Sequence, residues 1–201
     1  YFRLGSRFRM LKRKSNHSIL SQIPKGSVIP APRNHESFKK ALKKSQSPVV
    51  ILLFGDINLL PELLKEAEKY KKKLVVHFDL LHGIGKDKEG LIFLKQMGVQ
   101  CIVTTKSTIT KHAMDEGFEV IQRLFVVDSE SIKTGIQFLK KQKPGALEIL
   151  PAGIPRHAIE KLKAEIKIPI FVGGLICSQE YVDFAIGNGL YAVSTSDEGL
   201  W

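Results

Sequence analysis

The sequence predicts an α/β fold, a small (β/α)8 barrel of the TIM type whose eighth helix is short or absent. Three observations support this prediction. From Ser27 onward, eight short runs of aliphatic and β-branched residues alternate with seven longer helical patterns. The runs are almost continuously apolar, as in parallel strands that are covered by helices. Gly-Gly and Ser-Thr-Ser end the last two runs, where barrels of this kind often bind phosphate.

The first four strand–helix pairs follow from apolar runs and helix end signals. Strands are expected at 28–31, 49–54, 74–79 and 101–105, and helices at 35–44, 58–70, 87–97 and 107–117. Pro48 opens the second strand. Gly98 closes the third helix, because glycine favours the left-handed turn that ends many helices. Ser107 is expected to cap the fourth helix with its hydroxyl group.

The remaining strands are expected at 120–124, 147–150, 168–172 and 191–195, and the remaining helices at 129–141, 155–164 and 178–186. Pro151 and Gly153 stop the sixth strand. Pro155 suits the first turn of the sixth helix, because proline has no N–H group to donate there. Ser178 is expected to cap the seventh helix. Only 197–201 follow the last strand, which is too short for a full eighth helix.

An open doubly wound sheet also alternates strands and helices and is the alternative fold. The number of strands and the residues that end the last two of them favour the barrel. The chain from Ser27 is shorter than about 200 residues, the lower end for this fold.

The charge divides the chain into two parts. The formal net charge is +11 at pH 7, and residues 1–26 carry seven basic residues and no acidic one. We therefore expect a basic N-terminal arm at 1–26, with vector origin of part of it as an open alternative, and a barrel domain at 27–201. Such an arm can bind phosphate backbones. The alternative is that it forms a helix that closes the bottom of the barrel.

Composition also limits the compartment and the partners. The longest wholly apolar run, Val49 to Phe54, is far shorter than the roughly 20 residues of a membrane span. No secretory pattern opens the chain, and two cysteines do not make a disulfide framework. We expect a cytoplasmic protein without a membrane partner, and a homo-oligomer is left open.

Polar residues at the ends of the predicted strands form a candidate ligand site, because ligands of this fold bind at the C-terminal ends of the strands. Gly173 and Gly174 end the seventh strand and would let the backbone approach a phosphate closely. Ser194 and Ser196 end the eighth strand and offer hydroxyl groups. The start of the helix at Ser178 would complete an anion site.

Four charged residues lie at the ends of other strands. Lys106 and Arg123 offer positive charge, and Asp79 and Glu148 offer acceptors for hydroxyl groups. The whole set suits a small phosphorylated polyol. Two alternatives stay open. The four charges could form two salt bridges across the barrel mouth. Lys106 with either acid could also serve an aldolase-type or isomerase-type enzyme that acts on a small phosphorylated sugar.

Other chemistry has weaker support. His77, Asp79 and His82 are ligand-type residues close in sequence, but two share a strand face and the third lies on a loop, so no metal site is predicted. Cys101 is expected to pack as a small apolar residue in a strand, and Cys177 has no visible base beside it. We assign no catalytic residue.

Five segments, in this order, resemble the family of bacterial glycerol uptake operon antiterminator regulatory proteins. They are HFDLLHGI at 77–84, IQRLF at 121–125, EILP at 148–151, GGLI at 173–176 and AVSTS at 192–196, followed by LW at 200–201. The resemblance runs from about Ile29 to Trp201 and leaves out residues 1–26.

The resemblance implies a regulator of transcription and not an enzyme. It implies glycerol 3-phosphate as the effector ligand, no cofactor, and a leader mRNA as the partner, whose binding lets transcription pass a terminator upstream of glycerol-catabolism genes. By position, the ligand-binding candidates are Asp79, Lys106, Arg123, Glu148, Gly173, Gly174, Ser194 and Ser196. A phosphate-ligand sensor that binds a protein is a third option.

The sequence assigns no RNA contact. It has no RNP, KH or double-stranded-RNA signature, and its aromatic residues, 8% of the chain, do not visibly interleave with basic ones. Several helices are rich in lysine, for example at 39–44 and 65–73. These lysines form either solvated outer faces of the barrel or a nucleic-acid surface.

Overall fold

Eight strands and seven α-helices alternate along the chain in the computed structural model, which describes residues 18–201. The strands are β1 (Val28–Pro30), β2 (Val49–Leu52), β3 (Lys73–His77), β4 (Cys101–Thr104), β5 (Glu119–Phe125), β6 (Ala146–Leu150), β7 (Ile170–Gly173) and β8 (Ala192–Thr195). The helices are α1 (His35–Lys44), α2 (Leu60–Lys69), α3 (Lys88–Gln96), α4 (Ser107–Asp115), α5 (Ser129–Gln142), α6 (Arg156–Glu165) and α7 (Gln179–Gly187).

The strands form one parallel sheet in the order β1-β8-β7-β6-β5-β4-β3-β2. From β2 to β8 each strand pairs with the next one in sequence, and β1 pairs with β8, with Ile29 opposite Ser194. Just beyond the ends of β1 and β2, the Leu53 N–H donates to the Pro32 carbonyl at 3.2 Å, which brings the two edges together. The (β/α)8 barrel is therefore confirmed, and the open doubly wound sheet is excluded because its first and last strands could not pair.

Alternate residues of each strand pack on opposite sides of the sheet. Val75, Ile121 and Phe171 lie in a buried cluster that every strand contributes to, inside the barrel. Their neighbours in sequence, such as Val76 and Val172, pack outward beneath the helices. The apolar sequence of the strands follows from burial on both faces.

The segment before β1 closes the bottom of the barrel. Residues 1–17 of the predicted arm lie outside the described part of the chain, but Leu20–Gln22 form one turn of 3-10 helix. Ile19, Leu20 and Ile23 are buried in the cluster inside the barrel. Glu119, the first residue of β5, accepts hydrogen bonds from the backbone N–H groups of Ile19 at 2.6 Å and Leu20 at 3.1 Å. The buried core therefore extends upstream of residue 27, where the sequence analysis begins the barrel domain.

Several element ends differ from the sequence prediction, whereas the expected short or absent eighth helix is confirmed. β3 ends at His77, because Phe78–Leu80 turn into a 3-10 helix. The N-cap of α4 is Lys106, whose backbone is extended, and Ser107 is the first helical residue. One 3-10 turn, Glu198–Leu200, stands in place of an eighth helix. No helix within residues 18–201 has both the length and the apolar character that crossing a membrane requires.

Candidate functional site

A pocket of about 420 Å³ opens at the C-terminal ends of the strands. Four of the eight predicted ligand residues line it, namely Arg123, Gly174, Ser194 and Ser196. The other lining residues are Ala31, Arg33, Leu53, Leu150, Leu175, Ile176, Cys177, Thr195 and Asp197. The pocket thus lies at the predicted end of the barrel and chiefly between the loops that follow β1, β7 and β8.

Behind the pocket, a buried ion pair joins β5 to β6. The Arg123 Nε donates to Glu148 Oε2 at 2.7 Å, and the Ser194 hydroxyl donates to Glu148 Oε1 at 2.5 Å. Arg123 is 9% exposed and Glu148 is fully buried. This pair is one of the two salt bridges that the sequence left open as an alternative. Its geometry holds the Arg123 guanidinium at the wall of the pocket.

Gly173 belongs to the same network and does not line the pocket. A Cβ atom at this position would lie 2.3 Å from the Ser194 Oγ and 3.1 Å from Glu148 Oε1. Any side chain would therefore push apart the hydrogen bond between Ser194 and Glu148. The glycine permits close packing of this network, and its predicted role in the approach to a phosphate stays a prediction.

The loop from β7 to α7 forms one wall of the pocket. Gly174 and Leu175 both have left-handed backbones, with φ of +74° and +61°, and the Leu175 side chain is 81% exposed. The Thr195 hydroxyl donates to the Ile176 carbonyl at 2.9 Å, which ties this loop to the end of β8. Within residues 18–201, the backbone N–H groups of Ile176, Cys177 and Ser196 donate to no other group. These amides can therefore serve as donors to an anion.

Asp79 and Lys106 are not among the residues that line the pocket. Asp79 accepts hydrogen bonds from the Thr104 hydroxyl at 2.9 Å and from the Thr105 N–H and hydroxyl at 2.7 and 2.9 Å. Burial would raise the pKa of Asp79, but these hydrogen bonds outweigh it and hold the pKa below its usual value. Asp79 thus anchors the end of β4, and its predicted contact with ligand hydroxyls stays a prediction, as does that of Lys106.

His77 lies at the end of β3 and is 3% exposed. Its Nδ1 atom is buried and has no hydrogen-bond partner among the described residues. Burial, together with the positive charge of Arg123, lowers the pKa of His77 to about 4. The imidazole is therefore neutral at physiological pH.

Arg33 also lines the pocket, from the loop after β1, and it is not among the residues predicted from the sequence. Its side chain is exposed, and no carboxylate among residues 18–201 forms an ion pair with it. The sequence signal was available, because Arg33 lies two residues after the predicted end of the first strand. Polar residues were selected only at the ends of strands three to eight, and the same rule applied to the first strand would have selected Arg33.

The cysteines and histidines form no further site in the described chain. Residues 18–201 contain no group of three or more His, Cys, Asp or Glu side chains that could hold a metal ion. Cys101 is buried in the barrel, and burial raises the pKa of its thiol. Cys177 is exposed at the edge of the pocket.

Known proteins with similar sequences and structures point to one family. Residues 28–201 match the family described as glycerol-3-phosphate responsive antiterminators. The uncharacterized protein YgcP of Escherichia coli K12 is 31% identical over 184 residues, which cover 91% of this chain and 95% of YgcP.

Two solved structures are similar over nearly their whole length. The glycerol uptake operon antiterminator regulatory protein of Listeria monocytogenes is 32% identical with a TM-score of 0.80, covering 87% of this chain and 94% of that one. A glycerol uptake operon antiterminator-related protein of Thermotoga maritima is 26% identical with a TM-score of 0.77, covering 87% and 97%. Barrel enzymes reach only 14–17% identity, which is a likeness of fold alone. The chain therefore belongs to the family of glycerol-3-phosphate responsive antiterminators.

Proposed function

We propose that this protein regulates transcription by binding glycerol 3-phosphate and, in response, the leader mRNA of glycerol-catabolism genes. Membership of the antiterminator family supports the regulatory role. The single observation that carries the ligand is the pocket, in which Arg33 and Arg123 face a loop with unused backbone N–H groups. A small phosphorylated polyol needs this combination of positive charge, anion-binding amides and hydroxyl partners.

The proposed contacts follow from the donors that remain available. Arg123 uses its Nε for Glu148, so its Nη groups are left for a phosphate oxygen. Glu148 balances the charge of Arg123, so Arg33 supplies the additional positive charge for a phosphate dianion. The backbone N–H groups of Ile176 and Cys177 add hydrogen bonds, and the Ser196 hydroxyl suits the glycerol moiety.

A role without catalysis agrees with the hydrogen bonding of two carboxylates, the buried Glu148 and the half-buried Asp79. Both oxygens of Glu148 accept hydrogen bonds, and both oxygens of Asp79 do so as well. A general base needs a carboxylate oxygen that can reach a substrate proton. Engaged in this way, these two groups serve to hold the site together. We propose a cytoplasmic location on the same ground, since a regulator of transcription acts where the transcript is made.

The ligand can control RNA affinity only if it binds one conformation of the protein better than another. The loop at 173–178 is the element we expect to respond, because it contacts the pocket and holds two residues in left-handed conformations. Phosphate binding to its amides would fix this loop relative to the end of β8.

Titration calorimetry tests the ligand. Glycerol 3-phosphate is titrated into the full chain, with glycerol and inorganic phosphate as separate controls, and the ligand is assayed afterwards for turnover. We expect saturable binding of glycerol 3-phosphate that is tighter than that of either control, with the ligand recovered unchanged. Absence of binding would contradict the proposal, and consumption of the ligand would instead indicate an enzyme that acts on a phosphorylated sugar or polyol.

A further inference from the structure

A group of exposed lysines lies at the end of the barrel opposite the pocket. We call it the lysine cluster, and it consists of Lys43, Lys44, Lys69, Lys71 and Lys73 together with Tyr70. Lys43 and Lys44 end α1, Lys69 ends α2, and Lys73 begins β3. These positions lie in or directly beside two neighbouring connections, the one from α1 to β2 and the one from α2 to β3.

Hydrogen bonds hold these two connections together as one surface. Lys72, which lies within the second connection, donates from its Nζ to the carbonyls of Ser45 at 2.7 Å and Ser47 at 2.6 Å in the first connection. The Lys73 N–H donates to the Pro48 carbonyl at 2.9 Å. The lysines therefore occupy a fixed backbone framework, although their side chains reach into solvent.

The five lysines are not balanced by neighbouring acids. Among the ion pairs of residues 18–201, none involves a lysine of the cluster, whereas Lys40, Lys88 and Lys140 each pair with a glutamate. Glu68, in the last turn of α2, is the acidic residue next to the cluster in sequence. A net excess of positive charge therefore remains on this surface.

One of the lysines occupies a position that favours glycine. Helices α3, α4 and α7 end with a left-handed glycine, namely Gly98, Gly117 and Gly189, with φ between +76° and +94°. Helix α2 ends with the same pair of backbone hydrogen bonds, but Lys71 takes the left-handed position with φ of +55°. A left-handed lysine is less favourable than glycine, and Lys143 after α5 has the same conformation, so this feature alone does not distinguish the cluster.

The attraction of lysine to the C-terminal ends of helices accounts for only part of the cluster. That attraction acts on the last turn of every helix. Helix α7 has no basic residue in its last turn, and α4 has only His112 there. Lys71 and Lys73, moreover, lie beyond the end of α2. Lysines also lie in the last turns of α3, α5 and α6, but Lys140 of α5 pairs with Glu165, whereas no lysine of the cluster has an ion pair among the described residues.

The opposite end of the barrel carries acidic side chains as well as basic ones. Acidic residues lie in the first turn of five helices, namely Glu36, Glu62, Glu89, Glu130 and Glu180. They surround the end at which the pocket opens. These acids reduce the attraction of this rim for a polyanion, whereas no lysine of the cluster has an ion pair among the described residues.

Tyr70 adds a contact that selects among polyanions. Its ring is 45% exposed and lies in sequence between Lys69 and Lys71. An exposed aromatic ring among basic side chains is the arrangement on which unpaired bases stack while lysines contact the phosphates. A double helix or a lipid headgroup offers no base to such a ring. This aromatic residue also corrects the sequence analysis, which saw no interleaving of aromatic and basic residues.

We propose that the lysine cluster is the docking surface for a single-stranded segment of RNA, with Tyr70 stacked on a base. The proposal rests on the proposed function, since it takes RNA as the partner of that function. It places the RNA at the N-terminal ends of the strands, away from the ligand pocket. The influence of the ligand on RNA binding then passes through the barrel and not through direct contact.

Two variants of equal charge test the surface. The cluster variant carries Lys44→Gln, Lys71→Gln and Lys73→Gln, and the control variant carries Lys111→Gln, Lys133→Gln and Lys161→Gln, which are exposed lysines elsewhere on the barrel. The probe is a fluorescein-labelled transcript of the leader that precedes the glycerol-catabolism genes of the source genome. Its anisotropy is measured between about 0.05 and 0.2 M salt, with glycerol 3-phosphate present.

We expect the cluster variant to bind the transcript about 100-fold more weakly near 0.1 M salt, with the slope of log affinity against log salt reduced by about 2. The control variant should change neither quantity by a comparable amount. Tyr70→Ala should weaken binding about tenfold and leave the salt slope unchanged, because stacking releases no counterions. Calorimetry should give the same glycerol 3-phosphate affinity in all variants.

Several outcomes would overturn the proposal. If the wild-type chain binds the transcript but the cluster and control variants lose affinity equally, the RNA docks elsewhere. If the cluster variant keeps its RNA affinity but loses binding to vesicles of phosphatidylglycerol and phosphatidylcholine, the surface serves a lipid membrane. If the wild-type chain binds no transcript at any salt concentration, the proposed function fails first.

Discussion

The two ends of the barrel hold their charges in opposite ways. At the C-terminal ends of the strands, Arg123 and Glu148 are buried, paired and joined by Ser194. At the N-terminal ends, the lysine cluster is exposed and has no ion pair in the described chain. A buried charge must be paired to avoid a large desolvation cost, whereas an exposed lysine is solvated and needs no partner.

The difference matches two kinds of partner. A small ligand is selected by donors at fixed positions, and a buried network supplies that rigidity. A polymer of phosphates is attracted by unbalanced charge over a wide surface, and mobile lysines supply that attraction. Substitutions at the pocket end should therefore change stability and ligand affinity, and substitutions at the lysine end should change salt-dependent binding.

The largest effect should come from breaking the buried ion pair. Glu148→Ala leaves the Arg123 guanidinium buried without its partner, and removing one member of a buried pair costs about 3–5 kcal/mol of unfolding free energy. Urea unfolding measures this loss. The matched control is Glu165→Ala, which breaks the exposed pair with Lys140 and should change stability little. Equal effects of the two variants would mean that burial of the first pair has no energetic consequence.

The second-largest effect should be the pH dependence of the unfolding free energy that comes from His77. The pKa is about 4 in the folded chain against 6.5 for an ordinary histidine, so the unfolded chain binds a proton first as the pH falls. Stability is therefore complete above pH 6.5 and is lost as the pH falls towards 4, by about 3 kcal/mol for this residue. Urea unfolding at several pH values should give a smaller acid loss in His77→Gln. An unchanged pH profile would mean that His77 is protonated equally in both states.

Much of the fold was predictable from the sequence, because apolar strands and helix end signals are local. The eight strands and seven helices lie close to their expected positions, and the barrel is confirmed. The 3-10 turn at Leu20–Gln22 was not predictable in the same way. Its burial depends on contacts with strands about a hundred residues away, such as that with Glu119, and no local pattern encodes them.

The site was predictable only in part. The rule that ligands lie at the C-terminal ends of the strands selected Arg123, Gly174 and Ser194, which the structure brings together. The rule does not say which strand ends share one pocket, so it also selected Asp79, whose oxygens bind Thr104 and Thr105. The arrangement of side chains around the barrel depends on packing between distant strands.

A moderate effect on ligand binding should come from Arg33. Its side chain is exposed at the pocket and free of the buried network, so Arg33→Ala should weaken glycerol 3-phosphate binding at least tenfold without a change in stability. Calorimetry and urea unfolding separate the two effects. Arg123→Ala is a poorer probe because it would also leave Glu148 unpaired. The matched control is Arg156→Ala, which removes an exposed arginine that pairs with Glu160. Unchanged affinity in Arg33→Ala would remove this residue from the ligand site.

The smallest effect on stability is expected at the two left-handed lysines, Lys71 and Lys143, and it separates RNA binding by Lys71 from its effect on the fold. Lys71→Gly should stabilise the fold by up to about 1 kcal/mol, because glycine adopts this conformation without strain from a Cβ atom. Lys143→Gly is the matched control, since Lys143 is also left-handed, with φ of +51°, but lies after α5 and outside the lysine cluster. Both variants should unfold at higher urea, and only Lys71→Gly should lose affinity for the leader transcript. A gain in stability with no loss of RNA affinity in either variant would mean that Lys71 does not contact RNA.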